Sequence, residues 1–272
     1  MEKSIILITG ATSGIGKATA ELFCENGYTV YGTGRKAAVG TITQHPNGGS
    51  ITMLPLDVTD DASVQNCIEQ IMLREGKIDI LVNNAGFGIA GAIEETSVEQ
   101  MRMQLETNLF GVHRMCKEVL PVMRKQGYGK IINISSVAGF IAIPYQAFYS
   151  VSKFGIEGYS RALREETARF GINVTLIQPG DTKTGFTNER ITVSNEKSDA
   201  YSQKMNLSVK RMEHDEQNGA SPAKVARAIF KAAKSKHPPV SRTVGFQYKL
   251  IKAALRILPE KLAAFAVRKL YA

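Results

Sequence analysis

Residues 4–9, Ser-Ile-Ile-Leu-Ile-Thr, form a short unbroken apolar run, the pattern of a parallel strand covered on both faces. Further strand-like stretches, each with polar, glycine or proline positions among its apolar residues, recur at residues 28–35, 51–56, 78–82, 130–134 and 172–178. Between them lie stretches with helical spacing: residues 17–24, about a dozen residues behind Asp60, a long pattern over 98–125, and the stretch from Tyr149 to about Phe170. Six such alternations without an internal repeat predict an α/β fold, a Rossmann-type doubly wound parallel sheet. Residues 37–50 hold Pro46-Asn47-Gly48-Gly49 and read as surface turns. Residues 186–219 break the alternation. They are polar, run through Asn195, Glu196, Lys197, Ser198 and Asp199, and keep only scattered apolar residues such as Tyr201, Met205, Leu207 and Met212. That composition predicts a substrate lid or a loop with short helices. Order resumes at Ser221-Pro222, where serine caps and proline starts a helix.

The end of the chain patterns as two helices, residues 246–258 and 259–271. Their apolar positions are Leu250, Ile251, Ala254, Leu258, Leu262, Phe265 and Leu270; their bases are Lys249, Lys252, Arg256, Lys261, Arg268 and Lys269. Such helices either pack their stripe on the core or a sister subunit, the first expectation here, or make peripheral contact with an anionic membrane. The organisation expected is therefore one α/β domain over residues 1–245, with residues 186–219 as lid, and an amphipathic extension over 246–272. A length of 272 residues with 43% hydrophobic content suffices for one large covered sheet.

No run of about 18 apolar residues occurs and Met1-Glu2-Lys3-Ser4 leads straight into a strand, so a cytoplasmic protein is expected. Cys24, Cys67 and Cys116 lack Cys-x-x-Cys spacing and read as small buried hydrophobes. His45, His113, His214 and His237 have no metal-ligand spacing, and no metal is expected. The formal net charge of +9 admits nucleic acid, an acidic membrane or an anionic small molecule. The bases are spread along the chain, with the last third enriched, and carry no aromatic-basic signature, which speaks against nucleic acid.

Chemistry is carried by a few short motifs. Gly10-Ala11-Thr12-Ser13-Gly14-Ile15-Gly16 joins the first strand to a helix, where glycines let backbone N–H groups approach a diphosphate at the positive end of the helix. Tight turns need glycine for steric reasons alone, so the strand-to-helix context is what counts. The second strand ends in Gly34-Arg35; an arginine there suits the extra phosphate of NADP, or is simply solvated. Asp57 ends the third strand on the ligand side of the sheet, whereas Asp60 is placed to cap the next helix. Asn83-Asn84-Ala85-Gly86 follows the fourth strand, and its small residues and asparagines permit close backbone approach or strand pinning. Asn108, inside a helix, needs a hydrogen-bonding reason to be there. The fifth strand delivers Ser135-Ser136. Tyr149 and Lys153 lie one helical turn apart on one face. The sixth strand ends in Pro179-Gly180-Asp181-Thr182-Lys183-Thr184.

Thr9 to Gly16, Asn83 to Gly86, Asn108, Ser136, Tyr149, Lys153 and Pro179-Gly180, in this order over residues 4 to 185, resemble the short-chain dehydrogenase/reductase superfamily. The resemblance implies that Tyr149 is the general acid or base, that Ser136 polarises the carbonyl and that Asn108 holds a water in a proton relay. It implies that Lys153 holds the nicotinamide ribose and lowers the phenol's pKa, which general electrostatics would allow. By the same resemblance Gly10, Ser13, Gly14, Ile15, Gly16, Asn84, Ala85 and Gly86 are dinucleotide contacts, Asp57 and Val58 adenine neighbours, and Thr182 and Thr184, behind Pro179 and Gly180, nicotinamide neighbours. Ser13 stands where many NADP-using members carry a base, so a preference for NADP(H) rests on Arg35; NAD(H) is admitted. The long tail and polar lid are similar to the hydroxysteroid, retinol and acyl-lipid members. Phe140, Ile141, Ile143, Pro144, Tyr145 and Phe186 would then line an apolar pocket, or only pack their loop. The expected function is hydride transfer between nicotinamide and a hydrophobic ketone or secondary alcohol, in a homo-oligomer. The alternatives are a reductase of small polar carbonyls and a non-catalytic dinucleotide-binding or sensing protein.

Overall fold

Wherever aliphatic residues run unbroken, the chain extends inside the molecule. The computed structural model describes residues 3–38, 42–193 and 200–271. Ile5–Ile8 (β1) is buried at every position. It is followed by Gly14–Glu25 (α1), Thr29–Gly34 (β2), Ile42–Gln44 (β3), Ser50–Pro55 (β4), Asp61–Glu75 (α2), Ile80–Asn83 (β5) and the short Ile89–Ala90 (β6). Val98–Leu105 (α3) and Gly111–Gln126 (α4) precede Gly129–Ile134 (β7), Ala147–Thr167 (α5), Ile172–Pro179 (β8) and Ile191–Thr192 (β9). The chain closes with Ser202–Gln217 (α6), Pro222–Lys234 (α7), Ser241–Val244 (β10), Phe246–Ile257 (α8) and Glu260–Tyr271 (α9).

Among the described residues the main sheet has eight strands in the order β10-β8-β7-β5-β1-β2-β4-β3. Its pairs are parallel except β3 against β4. The six strands expected from apolar runs are present. Two edge strands come in addition: β3 lies within the stretch expected to be surface turns, and β10 is a half-polar Ser-Arg-Thr-Val. Successive strand side chains point to opposite faces. Leu7, Leu81, Ile131 and Leu176 therefore meet α2, α4 and α5 on one face, and Ile6, Ile8, Val82, Ile132 and Ile177 meet α1 and α7 on the other. The order turns back between β1 and β5, and open sheets of this kind bind ligands beyond the strand ends at that point.

Three helical expectations are corrected. The pattern over 98–125 is continuous but not uniform, because a π-turn at Glu106–Phe110, helical in backbone at both joins, divides it into α3 and α4. Residues 186–219 hold a full helix, α6, whose buried stripe is only Met205, Ser208, Val209 and Met212, too sparse to stand out against its polar residues; residues 195–199 lie outside the described residues. Ser221 stands at the N-cap before Pro222, but its hydroxyl makes no capping bond. Asp60 does cap α2, accepting from Ala62 N at 3.0 Å. The three cysteines are buried and free.

The tail packs by one face. Tyr248, Ile251, Leu255 and Val267 join a third apolar cluster that also holds Tyr149, Met205, Val209 and Met212. The other face stays open, with Phe246, Leu250, Ile257, Leu262 and Phe265 exposed. No described helix is long and apolar enough to cross a membrane.

Candidate active site

β1 hands over to the glycine turn at the switch point. Gly10 and Gly14 adopt φ of +65° and +53°, a region glycine enters without steric cost. A Cβ on Gly16 would stand 2.1 Å from the Gly10 carbonyl oxygen, so glycine is what lets α1 start tight against the turn. Ser13 at the α1 N-cap makes no side-chain bond and the first turn carries no acid. The helix thus keeps its free N–H groups and positive end available, which fits a diphosphate.

Asn84 pins this turn to β5. Its amide donates to the carbonyls of Thr9 and Gly10 at 2.9 and 3.0 Å, while Thr9 Oγ1 accepts from Asn84 N and Ala85 N at 2.9 and 3.0 Å. Behind β8, Thr182 Oγ1 donates to the Gly180 carbonyl at 2.8 Å, and Thr184 stands 3.2 Å from where a Gly14 Cβ would lie. The loop behind Pro179 therefore reaches across the crevice to the glycine turn. At the far end Arg35 is exposed beyond β2. The Asp57 carboxylate is occupied locally, accepting from Thr59 N and Oγ1 at 2.9 and 2.7 Å. Burial pushes this carboxyl up, but the Thr59 bonds together with the charges of Arg35 and Arg114 hold it below the usual range. The Val58 side chain belongs to the core and packs on Gly111, leaving only its backbone for a ligand.

The reacting groups expected from sequence converge at the ends of β7 and α5. Ser136 continues β7 in extended conformation and its Oγ accepts from Ala138 N at 3.1 Å. Tyr149 and Lys153 sit on one face of α5, with Lys153 Nζ 5.6 Å from the tyrosine ring centre. Nζ donates to the Ile134 carbonyl at 2.9 Å, which ties α5 to the end of β7. Asn108 lies in the π-turn. Its Oδ1 accepts from Phe87 N at 3.1 Å, and its Nδ2 donates to the Phe87 carbonyl and to Ser152 Oγ at 3.0 and 3.2 Å. Ser152 Oγ in turn donates to the Tyr149 carbonyl at 2.7 Å. Gly86 makes room for Asn108, since a Cβ there would approach Oδ1 to 3.0 Å. Beneath, Asn83 Nδ2 donates to Asn133 Oδ1 at 2.9 Å and Asn133 Nδ2 to Ser160 Oγ at 2.8 Å, locking β5, β7 and α5 together.

The electrostatics differ from the expectation in one respect. Burial pushes Tyr149 up to about 12; hydrogen bonding to Ser136 pulls it down, the charges of Glu216 and Asp181 raise it and that of Arg190 lowers it. Lys153 is itself pushed down to about 8 by burial, partly opposed by Glu157. Its ammonium is directed at the Ile134 carbonyl, and enclosure rather than lysine charge dominates the phenol.

The wall over Tyr149 is apolar. Val137, Ala138, Ile141, Ile143, Met205 and Tyr248 share its cluster, with Phe140, Tyr145 and Phe186 packed against it; Pro144 is not part of it. The Phe186 ring lies 5.6 Å from that of Tyr149. Three groups here were not singled out in sequence: Arg190, Glu216 and Tyr248. Their pairings span long loops, and the one available signal was Asp181, which follows Pro179-Gly180 directly and is held by the Tyr248 hydroxyl. Among the described residues, no three His, Cys, Asp or Glu side chains converge as metal ligands would.

Residues 4–194 match the short chain dehydrogenase family. The chain is 46% identical over 274 residues to the 3-ketodihydrosphingosine reductase of Bacteroides thetaiotaomicron, with 100% of this chain and 99% of that one covered. A short-chain dehydrogenase from Streptomyces avermitilis superposes with a TM-score of 0.79 at 30% identity, over 94% of this chain and 95% of that one. The closed form of serine dehydrogenase, complexed with NADP+, superposes with a TM-score of 0.73 at 27% identity, over 88% of this chain and 94% of that one. Sequence match, glycine turn and the assembly of Ser136, Tyr149 and Lys153 lead to one conclusion: the chain belongs to the short-chain dehydrogenase/reductase family, as an oxidoreductase acting on CH–OH groups with NAD(P).

Proposed function

We propose that the protein is an NADPH-dependent reductase of long-chain 3-ketolipids of the 3-ketodihydrosphingosine type. The observation that carries this reading is the 46% identity to such a reductase over the whole chain, tail included. The apolar wall over Tyr149 suits a chain-bearing ketone better than a small polar carbonyl.

When bound, the nicotinamide supplies the hydride. The protein does the rest. The Tyr149 hydroxyl gives its proton to the carbonyl oxygen as negative charge develops there, and a phenol held near 12 is protonated at neutral pH, as an acid must be. Ser136 donates a hydrogen bond to the same oxygen. Lys153 faces the ring of Tyr149 and stabilises the phenolate left behind. Both amide hydrogens of Asn108 are already used, so a relay water would be held by the backbone that its π-turn loosens. Gly10, Ser13, Gly14, Ile15 and Gly16 take the diphosphate, Thr182 and Thr184 face the nicotinamide, and residues 186–219 act as lid through Phe186.

A preference for NADPH rests on Arg35, exposed at the end of β2 and close enough to Asp57 to lower its carboxyl. Arg35→Ala should raise KM for NADPH by about tenfold or more and leave NADH little changed; tighter binding of NADH by the wild type would contradict the assignment. A panel of 3-ketolipid, steroid, retinoid and small polar carbonyls, each with both cofactors, tests the substrate class. Binding of cofactor without turnover of any carbonyl would instead support the sensing alternative.

The open face of the tail we read as a peripheral contact with anionic lipid. Phe246 and Ile257 are 75% and 83% exposed, and Lys249, Arg256, Lys261, Arg268 and Lys269 are exposed on the same two helices. That pairing of apolar side chains with bases suits an acidic bilayer surface. Self-association is assigned to Val151 and Phe154, one turn apart on α5 and half exposed. A monomer by light scattering would remove that assignment.

A further inference from the structure

Asp181, Arg190 and Glu216 come from three segments, the turn behind β8, the residue before β9 and the last turn of α6. They meet beside Phe186 and Tyr149. The Arg190 guanidinium lies 5.8 Å from the Phe186 ring centre, and that ring lies 5.6 Å from the ring of Tyr149. The Arg190 side chain is 1% exposed, and its Nη2 donates to Glu216 Oε1. Thr187 Oγ1 donates to Glu216 Oε2 at 2.6 Å, and the Tyr248 hydroxyl donates to Asp181 Oδ2.

Two requirements are left unmet. Nε and Nη1 of Arg190 are buried and bond to nothing. A buried guanidinium donor without an acceptor costs free energy on the order of 1–3 kcal/mol. In addition, one cation faces two carboxylates, so the cluster carries a surplus negative charge that is expensive out of water. Burial accordingly pushes both the Asp181 and the Glu216 carboxyls up. A ligand that brings an acceptor and a cation together would satisfy both.

We propose that Asp181, Arg190 and Glu216 form a subsite for the head of an amino-alcohol lipid. The carboxylates take its ammonium, and the free Nε and Nη1 of Arg190 take its hydroxyl. The inference rests on the reading of the chain as a reductase of 3-ketosphingoid lipids, whose head carries an ammonium on the carbon next to the ketone and a hydroxyl on the carbon beyond. The subsite selects among ketones by head group, and the apolar wall then accepts the chain.

The test compares 3-ketodihydrosphingosine with its deaminated 1-hydroxy-3-ketone of the same length, using wild type, Asp181→Asn and Glu216→Gln with NADPH. The wild type should prefer the amine by about 100-fold in kcat/KM, and each variant should lose at least about tenfold of that preference, chiefly through KM. Arg190→Lys should raise KM for both 1-hydroxy ketones but not for the 1-deoxy ketone. Binding of a short-chain 2-amino-1,3-diol to the NADP+ complex, followed by calorimetry, gives a readout independent of turnover. Selective binding lost in Glu216→Gln, with no ketone reduced, would leave the subsite standing and remove the reductase reading. Reduction of both ketones at equal efficiency, or an unchanged preference in both carboxylate variants, would overturn the subsite and leave the reductase reading intact. Absence of both selective binding and selective turnover would also overturn it.

Discussion

Tyr149 and Lys153 share one face of α5 and both are enclosed, so water solvates the charge of neither. The lysine feels this as a pKa near 8, well under its ordinary value of 10.5. Below about 8 the folded and unfolded chains both hold the proton, and the full penalty of a buried ammonium is present. Between about 8 and 10.5 the unfolded chain binds more protons than the folded one, so stability rises with pH through that window. Lys153→Met should therefore melt above the wild type at pH 7, by an equivalent of about 1–3 kcal/mol, while losing most of its activity. The difference should shrink as pH rises from about 8 to 10. A gap that stays constant with pH would mean that the lysine is not destabilised by burial. Sequence spacing placed these two side chains together, but not the depth of Tyr149, because its enclosure comes from Phe186, Met205 and Tyr248, which lie far along the chain.

At the scale of elements, the tail is held by a close contact between a glycine and a ring. A Cβ on Gly180 would fall 1.9 Å from the Tyr248 ring, the side chain through which α8 reaches Asp181. Gly180→Ala should displace α8, costing about 2–4 kcal/mol and speeding hydrogen exchange in residues 246–258 before the rest of the molecule. Uniform exchange in variant and wild type would contradict that coupling. Elements of this kind differ in how plainly the sequence marks them. The inner strands announce themselves by the aliphatic and β-branched residues that burial on both faces favours, most plainly in the unbroken Ile-Ile-Leu-Ile of β1, whereas β3 and β10 are short edges where half the positions can stay polar. α6 hides for a related reason: only one narrow stripe touches the core, so its period drowns in charge. The π-turn leaves no mark but Asn108 itself, a polar residue inside a helix, since its two flanking helices keep the same pattern through it. The Arg190–Glu216 pair, 26 residues apart, depends on the end of α6 returning to the residue before β9 and has no local signal.

For the molecule as a whole, the net charge of +9 has a structural address. Residues 246–271 contribute six bases against the single acid Glu260; Lys252 turns inward to Gln178 and Ser241, and the other five are exposed on the two helices that carry the open apolar side chains. Full-length protein should sediment with vesicles rich in anionic phospholipid and not with neutral ones, and the binding should weaken as salt rises to about 0.5 M. Leu262→Ser with Phe265→Ser should reduce it without loss of fold, because both side chains are more than half exposed. Equal binding to neutral vesicles, or none to either, would remove the membrane contact. A surface of this kind next to Tyr248 would present a lipid ketone to the site from the bilayer side.

The central claim is reduction of a long-chain 3-ketolipid with Tyr149 as proton donor, and NADPH absorbance followed with 3-ketodihydrosphingosine tests it most directly. The wild type should consume NADPH saturably with the ketone, and Tyr149→Phe should fall by about a thousandfold in kcat while still binding cofactor. No consumption with this ketone, or full turnover in Tyr149→Phe, would contradict the account.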